Sequence, residues 1–269
     1  MACMKFLNSQ TIVIAGAGNV GWHLAIALSK AGWNIKNIYS KNIRNAKKLA
    51  SRVNSIATID FHEIYSADII IFCLPDDVLL QKLKTIYIPA GKILLHTSGS
   101  LGIDVFNSIS VNYGSLYPLQ TFKKGNDDLD FSTIPVFVEG SNKKTISILQ
   151  KLAKSISDSV QQANSQQRLF LHIAAVFACN FSNQMYCLAE EICKKHNIDF
   201  QLLVPLILQT AMNTKKILPS LNQTGPAKRK DMAVIGKHLE ILSAYPELKD
   251  MYSSITNSIF VRNNEDGHA

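Results

Sequence analysis

Thr11–Gly32, TIVIAGAGNVGWHLAIALSKAG, is the stretch that decides the fold. Thr11–Ala15 is apolar and mostly β-branched, which suits a buried strand. Glycines then stand at positions 16, 18 and 21, and Val20–Ala31 repeats its apolar residues at helical spacing. Gly16 permits a tight turn, Gly18 offers no side chain to block a ligand, and Gly21 lets the helix lie close to the strand. The first N–H groups of such a helix have no carbonyl ahead of them, so they and the helix dipole attract an anion. A G-x-G-x-x-G alone could be a plain strand–helix turn. Placed between this strand and this helix, it points to the diphosphate of a dinucleotide, held by Gly16, Ala17, Gly18, Asn19, Val20 and Gly21.

The residues about 20 positions further on select between dinucleotides. A carboxylate there would bind the ribose 2′-hydroxyl of NAD. This chain has YSKNIRNAKK, with Ser40, Lys41 and Arg44 in that region. A hydroxyl and two cations suit the extra phosphate of NADP, although an ordinary basic helix start would look the same.

The alternation continues. Strands are expected at Ile35–Ser40, Asp68–Leu74, Lys92–His96, Gly114–Tyr117, Ile134–Glu139 and near Ser159–Gln162. Helices are expected at Arg44–Val53 and Asn142–Ser157. This predicts an α/β domain of Rossmann type with a mostly parallel sheet over residues 1–163. After Asn164 the strand signal stops. Ser165–His196, Asp199–Ile217, Asp231–Leu242 and Pro246–Val261 read as helices, so an all-α domain is expected over 164–269.

Polar residues past the ends of the strands are candidates for the ligand site. CLPDDV places Leu74, Pro75 and Asp76 there, with helix capping an equal explanation for Asp76 and Asp77. HTSGS adds Thr97, Ser98 and Gly99, and YPLQTF adds Pro118, Gln120 and Thr121. The run Leu169–Phe181 is apolar on nearly all sides and is expected to be central and buried. His172, Asn180 and Asn183 interrupt it on one side of the helix, as core polar groups or as substrate ligands at a cleft between the domains. QTGPAKRKD, Gln223–Asp231, is either an interhelical loop or a lid that brings Thr224 and Arg229 to that cleft.

The 269 residues carry a formal charge of +8, with 47% hydrophobic and 18% charged residues. The Lys and Arg residues are scattered, without the interleaved aromatics of an RNA-binding surface, so no nucleic-acid partner is expected. No apolar run reaches the roughly 18 residues a membrane span needs. The N-terminal residues lack a signal-peptide pattern, and a cytoplasmic location is expected. Cys3, Cys73, Cys179, Cys187 and Cys193 form no CxxC pair, and reduced, mostly buried thiols without a metal are expected.

Taken together, GAGNVG, HTSGS, YPLQTF, LHIAAVFACNFSNQMY, and QTGPAKRKD with His238 after it resemble a bacterial family of NADP oxidoreductases. That family has a Rossmann-like N-terminal domain and a helical C-terminal domain of unassigned function. The layout is more distantly similar to pyrroline-5-carboxylate reductase, deazaflavin-dependent NADP oxidoreductases and β-hydroxyacid dehydrogenases. The resemblance implies a homodimer formed through the helical domain and a small-molecule substrate between the domains. In β-hydroxyacid dehydrogenases a lysine precedes an asparagine by one turn on the first interdomain helix. Asn180 matches the asparagine, but Val176 stands where the lysine belongs, which speaks against that chemistry. The expected function is hydride transfer between NADPH and a C=N or C=O carbon. His172 is the first candidate proton donor, because imidazole titrates near neutrality, with Ser98 and Thr224 after it. The alternative is a protein that binds NADP(H) without catalysis, as a sensor or interaction module.

Overall fold

A computed structural model describes residues 9–125 and 129–265. It divides into two compact units, Met1–Asn180 and Phe181–Ala269. In the first, β1 (Thr11–Ala15), α1 (Asn19–Lys30), β2 (Asn34–Tyr39), α2 (Ile43–Val53), β3 (Ile56–Thr58), β4 (Ile69–Phe72), α3 (Asp76–Leu83) and β5 (Ile93–His96) alternate. They are followed by β6 (Tyr113–Pro118), β7 (Val136–Gly140), α4 (Lys143–Lys154), β8 (Val160–Gln162) and α5 (Ser165–Ala175).

The strands form one sheet in the order β3-β2-β1-β4-β5-β6-β7-β8. The β6–β7 pair is antiparallel, and the other pairs are parallel. Strand order reverses between β1 and β4, which opens a crevice at the carboxyl ends of those strands. Ile12 and Ile14 face a core shared with Leu24, Leu28, Ile38 and Leu49. Val13 and Ala15 face the opposite layer with Ile70, Phe72, Leu94 and Phe106. A strand buried on both faces must be apolar where it is covered, and β4 is apolar throughout and β1 from Ile12 to Ala15.

β3 and α3 were not among the expected strands and helices. β3 has only three residues at a sheet edge, and its Ile56 is 63% exposed, so it lacks the apolar run that marks an inner strand. α3 follows Pro75, its N-cap, and carries Asp76 and Asp77 in its first turn, where negative charge suits the helix dipole.

The change from strands to helices falls between Gln162 and Ser165, and the first compact unit continues past residue 163 to Asn180. The expected single helix Ser165–His196 is divided. A π-helical segment, Val176–Phe181, separates α5 from α6 (Ser182–Lys195). The expected Asp199–Ile217 helix shortens to a 3₁₀ turn and α7 (Val204–Asn213). α8 (Pro226–Arg229), α9 (Met232–Ile241) and α10 (Pro246–Glu265) complete the second unit.

The expectation that Leu169–Phe181 is buried is overturned within one chain. Phe170 is 61% exposed and Phe177 65%. This helix is apolar all round, but the chain covers only part of its circumference. The cysteine expectation also needs correction: Cys179 and Cys187 are exposed, Cys73 is half-buried and Cys193 is buried, while Cys3 lies outside the described residues. Among the described residues, no helix is long and apolar enough to cross a membrane, and no group of three His, Cys, Asp or Glu side chains could hold a metal.

Candidate functional site

The glycine turn is shaped by contact with β4. Gly16 has φ +126°, and a Cβ there would lie 2.2 Å from the Cys73 carbonyl oxygen. A Cβ at Gly21 would lie 1.9 Å from the Gly16 carbonyl oxygen. A Cβ at Gly18 would meet nothing within 4 Å. The first two glycines therefore close the turn, and the third keeps space open in front of it. No side chain caps α1 and no acidic residue stands in its first turn, which leaves its leading N–H groups for a ligand.

A cavity of about 300 Å³ adjoins this turn, lined by Gly16, Ala17 and Gly18 from the turn and by Ser40 and Lys41 after β2. Leu74 and Pro75 close it from the end of β4. Asn45, Val78 and Lys82 also line it and were not expected. Arg44 is exposed on the first turn of α2, off the cavity wall; its backbone N–H donates to Asn42 Oδ1 at 2.9 Å. Asn19 and Val20 form the first turn of α1, and the Asn19 amide oxygen accepts from the backbone of Lys124. An open Cβ position, an uncapped helix start and cationic walls fit a phosphorylated dinucleotide.

The Thr97 and Ser98 hydroxyls of HTSGS are engaged within the chain. The Ser98 hydroxyl donates to Asp76 Oδ2 and accepts from the backbone N–H groups of Ser100 and Leu101, each at 3.0 Å. These three bonds use its whole capacity, so Ser98 has no proton to give a substrate. Thr97 lies against the Phe72 carbonyl, 3.4 Å from its hydroxyl. His96 is fully buried, and burial, aided by the charge of Arg168, pulls its pKa down to about 3. It stays neutral and accepts from the Ser98 N–H through Nδ1 at 3.2 Å. Gly99 packs on His172: a Cβ there would lie 2.6 Å from the imidazole Cγ.

Arg168 holds this region together. It is 1% exposed, pairs with Glu139, and donates to the carbonyls of Leu101 and Ser98, the latter at 3.1 Å. Ser165 joins the network through its hydroxyl, which donates to Glu139 at 2.7 Å and accepts from the Ile103 N–H at 3.2 Å. The start of α5 is thereby fastened to the HTSGS loop and to β7. His172 follows Arg168 by four residues, on the same face of α5.

His172 lines a second cavity of about 410 Å³ with Tyr117, Gln120, Thr121, Cys179 and Asn180. Its Nδ1 lies 3.0 Å from the Tyr117 hydroxyl. Burial raises the Tyr117 pKa above the usual phenol value, so it is a neutral acid at physiological pH. Thr121 Oγ1 and Cys179 Sγ are 2.9 Å apart at the same cavity. The structure thus brings His172 and Asn180 together, adds Tyr117, and leaves Ser98 outside the lining. Asn180 falls within the π segment, so the 100° per residue of an α-helix does not describe its angle to His172.

In the second unit, Asn183 donates to Cys187 Sγ at 3.8 Å. Thr224 borders an apolar cavity of about 360 Å³ with residues such as Leu188, Ile192 and Met251. QTGPAKRKD forms a turn at Gly225, with φ +98°, and then α8. Lys228 Nζ donates to Asn263 Oδ1 at 2.7 Å, and Asp231 caps α9 through the Val234 N–H, which explains the polarity of that stretch.

Residues 7–120 match the Rossmann-like domain family, and residues 134–259 match a domain of unknown function, DUF2520. The solved structure of a putative NADP oxidoreductase from Bacteroides fragilis is 38% identical, with 93% of this chain and 98% of that one covered and a TM-score of 0.88. The chain belongs to this family. A protein of Thermotoga maritima shares the fold at 22% identity, with coverage of 95% and 99% and a TM-score of 0.71. A reductive aminase from Aspergillus terreus, solved with NADPH and ethyl levulinate, shares it at 13% identity, with coverage of 96% and 95% and a TM-score of 0.71. No curated protein matches the sequence. The match over both halves supports the same domain order in this member of the family.

Proposed function

We propose that the protein is an NADP-dependent reductase, transferring hydride between NADPH and a C=N or C=O carbon of a small molecule held at Tyr117 and His172. The observation that carries this reading is the open glycine turn at an uncapped helix, with Ser40, Lys41 and Lys82 on the walls of its cavity. Family membership supports the reaction class, and the aminase solved with NADPH supports the cofactor. When bound, NADPH would supply a hydride, one proton together with two electrons, leaving NADP⁺.

The chain's own residues supply position and the remaining proton. Backbone N–H groups of the turn and the start of α1 bind the diphosphate, and Ser40 and Lys41 face the ribose phosphate. Tyr117 gives its phenolic proton to the oxygen of a reduced carbonyl. His172 in its imidazolium form then passes the Nδ1 proton to the phenolate oxygen, which restores the phenol and leaves a neutral imidazole. An iminium is already protonated and needs only the hydride, so imine reduction asks less of this pair. Asn180 and Gln120 offer amide groups that orient the substrate. Thr224 belongs to the apolar cavity of the second unit and has no assigned role in this scheme.

The test is a panel of imines, 2-oxo acids and aldehydes incubated with the protein and NADPH, followed by loss of nicotinamide absorbance. Turnover is expected on at least one class. With a carbonyl substrate, Tyr117→Phe should lower kcat about 100-fold with little change in KM. Tight NADPH binding without turnover across the panel would favour a non-catalytic binding module instead.

The homodimer is part of the same proposal. Phe170 and Phe177 of the first unit, and Leu202, Leu206 and Leu218 of the second, are each about 60–70% exposed. We assign these apolar side chains to contact with a second copy of the chain. Sedimentation equilibrium at micromolar concentration should give the mass of two chains, and a monomer mass would refute the assignment.

A further inference from the structure

We propose that Lys124 contacts the ribose 2′-phosphate of the cofactor and sets the preference for NADPH over NADH. The inference rests on the dinucleotide reading above and extends it to a residue more than 100 positions from the glycine turn in sequence.

Lys124 lies on the strap that follows β6. Phe122 anchors that strap: it is buried and stacks against His23 and Phe131, with ring centroids 5.2 Å and 5.9 Å away. His23 Nε2 lies 3.0 Å from the Lys123 carbonyl oxygen, and the Lys124 N–H donates to Asn19 Oδ1 at 3.1 Å. Both contacts hold the peptide unit that joins Lys123 to Lys124, so the strap is fastened to α1 immediately before the Lys124 Cα. The side chain then reaches across the first turns of α1 and α2. Its Nζ donates to Asn45 Oδ1 at 3.1 Å and to the Ala17 carbonyl at 3.4 Å, and lies 5.0 Å from the centre of the Trp22 ring.

Ala17 and Asn45 both line the glycine-turn cavity. Lys48 approaches the same Trp22 ring, 5.9 Å from its centre, so two ammonium groups share one aromatic surface. The acceptors that hold Lys124 are an amide and a carbonyl, both neutral. Burial and the Lys48 charge lower its pKa, the mark of a cation short of compensating charge. A phosphate monoester, with a charge near −2, supplies that compensation. Asn45 stands on the first turn of α2, just beyond Ser40 and Lys41, where dinucleotide folds read the ribose hydroxyls. The diphosphate is met separately by the start of α1. The position therefore matches the additional phosphate and not the diphosphate.

Calorimetric titration of the full chain with NADPH and with NADH tests this. Lys124→Gln should weaken NADPH binding about tenfold to a hundredfold and change NADH binding by less than twofold. Lys124→Arg should recover most of the NADPH affinity. Unchanged NADPH affinity in the glutamine variant, with an unchanged melting temperature, would overturn the inference and leave the cofactor reading intact. Equal weakening of both cofactors would also overturn it, since it would place Lys124 on the diphosphate or in the support of the turn. If the native chain binds neither cofactor, the dinucleotide reading fails and this inference with it.

Discussion

Arg168→Met should lower the folding stability of the chain by about 3–5 kcal/mol, measured by urea unfolding at neutral pH. The argument is one of groups left behind. The arginine is 1% exposed, and its partner Glu139 is 17% exposed. Removing the guanidinium strands a mostly buried carboxylate and the carbonyls of Ser98 and Leu101, which it now satisfies. Methionine restores the apolar volume of the stem but none of these bonds. Adding Glu139→Gln should recover part of the loss, because the buried charge is gone while the carbonyls stay unpaired. A single variant within 1 kcal/mol of the native chain would show that solvent reaches Glu139 and that the network is not under tension. The same network fixes the first turn of α5, so the Arg168 variant should also lose order at His172, one turn further on. Broadening of the imidazole resonances in an NMR spectrum of the folded variant would report that.

How legible this arrangement is in sequence depends on the range of the interactions. β1, β4 and β5 carry unbroken apolar runs, and burial on both faces of a parallel sheet demands such runs. The glycine turn is equally local, since Gly16 and Gly21 answer to contacts within the strand–helix unit or with the residue after β4, while Gly18 meets no protein atom. Arg168 carries no local sign of burial, because it follows Ser165, Gln166 and Gln167 in the polar first turn of α5. Only the fold shows that Glu139, 29 residues earlier, meets it. Tyr117 was hidden among the aromatic residues that any strand uses, and its role depends on His172, 55 residues away. Ser98 is equally hard to read: its hydroxyl stands at a strand end, and only the fold shows that it fastens α3 to the loop through Asp76. The π segment has no clear local signature in VFACNF, yet His172 and Asn180 still line the same cavity.

The glycine turn yields the other large effect, and two of its positions should behave in opposite ways. At Gly18 the backbone has φ −81° and ψ −165°, an extended conformation that any residue adopts. A side chain there meets no protein atom within 4 Å. Gly18→Val should therefore fold with stability within about 0.5 kcal/mol of the native chain. Its methyl groups would occupy the space where the diphosphate approaches the start of α1, so NADPH affinity should fall by about 1,000-fold or more, near 4 kcal/mol. Gly21→Ala should do the reverse in order of cause. Its Cβ would press on the Gly16 carbonyl oxygen at 1.9 Å, forcing α1 away from the turn and costing about 1–3 kcal/mol of stability before any ligand is added. Thermal melts with and without NADPH separate the two cases. The Gly18 variant should melt like the native chain and gain nothing from the cofactor, whereas the Gly21 variant should melt early. A Gly18 variant that NADPH still stabilises as it does the native chain would mean that the diphosphate lies elsewhere, and the placement of the cofactor on α1 would have to be abandoned.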